Sequence, residues 1–133
     1  MSRIDVDKKS LEGAWKRHEE LGRKNPAHDD HLLLLLYAVE CCLNHCLMSR
    51  EKLHHTSRIP EDARFGHAID RLAAKLGAPE IRGYTAETPS GTYIAPENLH
   101  SLFRYGGRLT RQDRDQLLHS LQSVLNWAAE NQS

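Results

Sequence analysis

The chain has no charge imbalance to work with. Its 18 Lys and Arg residues cancel its 18 Asp and Glu residues over 133 positions, and the pI is near 7.1. A protein that coats nucleic acid generically is basic overall, so any nucleic-acid role here must rest on a local patch. Cysteine is scarce too. Cys41, Cys42 and Cys46 are the three present, and they fall within six residues of one another. An odd count at that spacing excludes a disulfide framework and fits a reducing compartment, so a cytoplasmic location is expected. Met1 to Asp7 lacks the apolar core a signal peptide needs. No internal repeat or low-complexity tract interrupts the chain. Its length suffices for one domain with a real core and not for two, so residues 1–133 are expected to fold as a single unit.

What the chain does have is one long greasy run. Leu32 to Leu43 spans twelve residues with a single charge, Glu40, and the apolar character resumes at Cys46, Leu47 and Met48. A helix apolar on every side must be enclosed by other helices or by lipid. With His31, Asn44 and His45 at its flanks and a glutamate inside, the run reads as too short and too polar for a bilayer. It is expected to form the central stave of a helical bundle, with no membrane association. Glu40 is then a carboxylate among neighbours that should reject it, and tolerated buried charge usually has a partner or a task. Nine histidines add a second trait: net charge should climb steeply as pH drops through the imidazole range.

Periodicity places the remaining elements. A first helix is expected from about Val6 to Lys24, with Leu11, Ala14, Trp15, His18 and Leu21 on one face and a stop at Asn25-Pro26. The second starts at Asp29 or Asp30, whose carboxylates suit a helix N-terminus, and runs to about Lys52. After a connector from Thr56 to Pro60, a third helix is expected from Pro60 or Glu61, striped by Phe65, Ile69, Leu72 and Leu76 and ended by Gly77. Residues 78–95 lose periodicity and read as a long irregular loop, with a short hairpin through Thr88 to Ile94 as an alternative. Pro96 opens a short fourth helix carrying Leu99, Leu102 and Phe103. Thr110 with Asp113 resembles a capping box for a fifth, which buries Leu117, Leu118, Leu121, Val124, Leu125 and Ala128. The expected fold is all-α, an up-and-down bundle of four to five helices.

Several constellations carry possible chemistry. Arg114 and His119 share a broad face of the last helix. A guanidinium beside an imidazole is what metal-free RNA cleavage needs: the cation steadies phosphate charge, the imidazole moves a proton, and the RNA 2′-hydroxyl attacks. Arg50 and His55 have the same spacing, so the pattern is cheap, and a solvated Arg with a surface His is the bland reading. Glu40 can fix an arginine or hold an imidazole in one tautomer, and Arg114, His119, Arg104 and His67 are its candidate partners. The competing reading has Glu40 at a partly open groove, paired with a structural arginine. Cys41, Cys42, His45 and Cys46 invite a zinc reading. Yet the pairs Cys41/His45 and Cys42/Cys46 point about 100° apart on a helix, and no second cluster completes a tetrahedron. Core packing is preferred, with no metal and no cofactor expected. His67 and Asp70 lie three apart, so one can orient the other. Arg104 and Tyr105 offer a cation and a stacking ring for a phosphate or base, although Tyr105 is expected to fill the bundle end.

These residues, in this order, resemble the HEPN superfamily of small helical bundles. The resemblance runs from about Asp29 to Ala129. It rests on Tyr37-Ala38-Val39-Glu40-Cys41-Cys42-Leu43-Asn44 in the second helix, Gly66-His67-Ala68-Ile69-Asp70-Arg71-Leu72 at the third, and Arg104-Tyr105-Gly106 before the last, which ends near Trp127. The resemblance implies a bundle that is commonly a homodimer and frequent in bacterial defence and toxin–antitoxin systems. Catalytic members are metal-independent endoribonucleases with an R-x4–6-H motif and often an E-x-x-x-K element. Arg114 and His119 match the first and Glu40 begins the second. Asn44 stands where the lysine is expected, and Leu121 where a tyrosine often follows the histidine. The departures favour a non-cleaving interaction module that binds a protein, nucleotide or RNA partner through Arg104, Tyr105, His67 and Asn44. The alternative is a ribonuclease with Arg114, His119 and Glu40 as catalytic residues.

Overall fold

The computed structural model describes residues 6–24 and 29–131, with residues 29 and 30 described by their backbone only. Five α-helices are present among the described residues: α1 (Lys8–Lys24), α2 (Asp29–Arg50), α3 (Ile69–Leu76), α4 (Leu99–Arg104) and α5 (Arg111–Glu130). The architecture is an all-α bundle with one very small sheet. The stop expected at Asn25-Pro26 and the side chains of Asp29 and Asp30 lie outside the described residues.

The greasy run forms α2, which touches α1, α3, α4 and α5. Leu32, Leu35, Leu36, Val39, Cys42, Leu43 and Met48 are fully enclosed. The other helices enclose most of this helix, and the stripe of Leu33, Tyr37, Glu40, Cys41 and Asn44 stays partly open. The span His31–Arg50 is long and apolar enough to cross a bilayer, contrary to the sequence expectation, but 61% of its apolar window is buried by the protein itself. It is the core helix of the bundle.

Helix α1 lies against α2 through Leu11 and Trp15 and then through Gly22. A β-carbon at Gly22 would stand 2.7 Å from Cγ and Cδ2 of the enclosed Leu35, so the two helices meet where a side chain is missing. The contact face shifts accordingly, and Leu21, expected inward, is 44% exposed. The helix also begins at Lys8 rather than Val6, because Val6 to Lys8 is strapped to the segment after α2: Thr56 N–H donates to the Val6 carbonyl and Lys8 N–H to that of His54, both at 2.8 Å.

The third helix differs most from expectation. Glu61–Ala63 forms a single 3-10 turn, and α3 begins only at Ile69. Gly66 in between adopts a left-handed conformation, φ +56°, that interrupts helical propagation. The Arg64 guanidinium donates to the carbonyls of Ile59 and Ser57, each at 2.7 Å, and holds this segment as a loop. Gly77, φ +75°, ends α3 as expected.

Residues 78–95 are not irregular throughout. Tyr84–Thr85 (β1) pairs antiparallel with Tyr93–Ile94 (β2), a hairpin that starts earlier than the expected Thr88. Ala86 extends the ladder by bridging to Leu109. The capping box at α5 is only half made. Thr110 Oγ1 accepts from the Asp113 N–H at 3.4 Å, but the Asp113 carboxylate accepts from the Thr85 N–H at 2.6 Å instead of returning to Thr110. Thr110 therefore caps α5, while the Asp113 carboxylate pins the hairpin to the helix.

Candidate functional site

Three segments meet beside the middle of α2. Glu40 is a half-buried interruption of that helix, its side chain 22% exposed. The loop that Gly66 creates brings His67 across, and its Nδ1 lies 3.2 Å from Glu40 Oε2. Helix α4 contributes His100, whose Nε2 lies 3.5 Å from the same oxygen. The His67 and His100 rings stack with centroids 4.1 Å apart and planes 23° from parallel. Tyr37, one turn before Glu40, tilts against His100 at 5.1 Å and against His18 of α1 at 5.8 Å. The exposed Arg104 guanidinium donates to the Tyr37 hydroxyl, and that bond holds its pKa above the usual guanidinium range.

His100 is the residue that sequence reasoning missed. It is 1% exposed, and neither ring nitrogen has a hydrogen-bond partner. Its Nε2 is near enough to Glu40 for charge attraction but not aligned for a hydrogen bond. Leaving a buried polar group unpaired costs about 1–3 kcal/mol. The available signal was a polar residue among Leu99, Leu102 and Phe103 on a short apolar helix.

The other expected residues distribute as follows. Of Glu40's candidate partners, the structure brings His67 to it. His67 accordingly faces Glu40 rather than Asp70. Asn44 donates from its amide to the Glu40 carbonyl at 2.9 Å, an intrahelical bond. Tyr105 does not fill the bundle end. It caps α4 and is 82% exposed, beside Arg104. His119 is exposed on α5 and its carbonyl accepts from Ser123. Arg50 is absorbed by structure, donating to the Leu76 carbonyl at 2.7 Å and lying over Trp127.

The cysteine string behaves as core. Burial pushes the Cys41 thiol up to about 11, with the Glu40 charge adding to it. Cys42 and Cys46 are raised by the same desolvation. His45 turns away to Glu12, Nε2 to Oε2 3.2 Å, with its ring against Trp15. A surface recess of about 500 Å³ lies there, lined in part by Lys8, Glu12, His45 and His55, away from the Glu40 cluster. It mixes both signs of charge.

A carboxylate touching two imidazoles can orient them, share a proton with them, or present three lone pairs to one point. One donor atom from each of Glu40, His67 and His100 lies within 4.8 Å of the other two. No family model, curated protein or solved structure matches this chain.

Proposed function

We propose that this chain is a HEPN-like interaction module that binds RNA or a nucleotide without cutting it, at the edge formed by Arg104, Tyr105 and His67. The observation that carries the reading is the adjacency of an exposed guanidinium and a ring that is 82% exposed. A cation for phosphate beside a free stacking face is the minimal equipment for a single-stranded nucleic acid. Zero net charge confines binding to such a local patch. A cytoplasmic setting, which rests on the three free cysteines, and a homodimer and a protein partner in a defence system, which rest on the family resemblance, belong to the same proposal.

The second reading, a metal-independent endoribonuclease using Arg114 and His119, keeps its motif. What weakens it is Asn44, which stands where the motif's lysine is expected, together with a Glu40 carboxylate that lies against His67 and His100. The test is anisotropy with labelled single-stranded RNA in EDTA, with the RNA then run on a gel. Arg104→Ala and Tyr105→Ala are each expected to weaken binding by about fivefold or more, from a stacking or phosphate contact of about 1–3 kcal/mol, with the RNA intact. Cleavage that disappears in both Arg114→Ala and His119→Ala would establish the nuclease. Wild-type protein that fails to bind at micromolar concentration would end the binding reading. Light scattering on a sizing column checks the dimer.

A further inference from the structure

We infer that Glu40, His67 and His100 form a binding site for a divalent transition-metal ion of the zinc type. Two imidazoles and one carboxylate are a ligand set that zinc and ferrous ions both accept, with at least one position left open for water or a ligand oxygen. Spacing supports it. Two donors at about 2.0–2.1 Å from a tetrahedral ion stand about 3.3 Å apart. The Glu40 oxygen stands 3.2 Å from His67 Nδ1 and 3.5 Å from His100 Nε2. The three donors come from three separate segments, α2, the loop after it and α4, which only the fold brings together.

The independent observation is His100. A fully enclosed imidazole with neither nitrogen hydrogen-bonded is an unfavourable way to fill a core. A cation in front of Nε2 removes half of that deficit and offsets the proximity of the carboxylate. His67, with its side chain 44% exposed, gives the ion a route from solvent. Tyr37 stands against His100, and the Arg104 guanidinium is bonded to the Tyr37 hydroxyl, which puts a cation at the His100 side of the cluster. His100 Nδ1 lacks the acceptor that usually steadies a ligating histidine, and such partners are worth about 10–100-fold in affinity. Micromolar rather than nanomolar binding is therefore expected.

Calorimetric titration with zinc, and cobalt(II) absorption as a report of geometry, test the site on the full chain. One equivalent is expected to bind, with visible cobalt bands of an imidazole-ligated ion. His67→Ala, which alters a half-exposed side chain, and the near-isosteric Glu40→Gln should each weaken binding about tenfold or more while the circular dichroism spectrum is retained. His54→Ala, on the exposed segment after α2, should leave it unchanged and so separates this site from general histidine affinity. Binding undiminished in both His67→Ala and Glu40→Gln, or no stoichiometric binding at micromolar zinc, overturns the site and leaves a hydrogen-bonded acid–imidazole cluster. RNA binding measured in EDTA is a separate result and stands or falls without the metal.

Discussion

His45 and His18 show how burial decides the behaviour of single residues. Desolvation holds both imidazoles below their ordinary value of 6.5, with Lys8, Lys16 and Arg17 nearby adding to it and Glu12 opposing it at His45. The fold thus prefers their neutral forms. As pH falls through 6.5 the unfolded chain takes up protons first, and stability is lost progressively until pH passes the depressed folded values; above that window the contribution is fully present. The melting temperature should therefore fall between pH 7 and pH 5, and His45→Gln should flatten part of the slope. An unchanged slope would show that His45 does not drive it. The thiols give a second residue-scale prediction. With Cys41 raised to about 11, roughly one thiol in three thousand is ionised at pH 7.5. Native protein should react sluggishly with a thiol reagent, and all three cysteines should react readily once denatured; rapid native labelling would contradict the burial.

At the scale of elements, two contacts hold neighbours in place. Gly22→Ala improves helix propensity by as much as about 1 kcal/mol. It also drives a methyl into Leu35, where overpacking typically costs about 1–3 kcal/mol. Leu35 is fully enclosed and cannot swing aside, so a net loss of stability is expected in urea denaturation; a gain would mean that the α1–α2 crossing yields. Asp113→Ala removes the hydrogen bond from the Thr85 N–H, and a bond to a charged group is worth about 1.5–3 kcal/mol. Hydrogen exchange at Thr85 and Ala86 should then speed up. The elements also mark where a pattern in sequence misleads. The stripe Phe65, Ile69, Leu72, Leu76 suits a helix from residue 61, yet Gly66 and the Arg64 bonds to earlier carbonyls start it eight residues later.

Across the whole molecule, α2 touches every other helix, so unfolding should be one cooperative transition seen alike by near- and far-ultraviolet circular dichroism. Leu36→Ala, at a fully enclosed position, is expected to cost about 2–5 kcal/mol, whereas Leu21→Ala, at 44% exposure, should be close to neutral. Equal effects at the two sites would contradict the packing.

The run of leucines pointed to an enclosed helix, because so apolar a helix must be covered by other helices or by lipid. It was the burial of most of its window by the protein that made it the core of an all-α bundle. The same logic singled out Glu40, a charge whose surroundings demanded a partner, and put His67 among the candidates. Periodicity cannot say which of several basic residues arrives, since that depends on where loops turn. Gly66 and the short α4 bring imidazoles to the carboxylate and turn Tyr105 outward. Contacts between distant segments are decided by chain geometry in three dimensions, and the assembly of this site was therefore written in the fold alone.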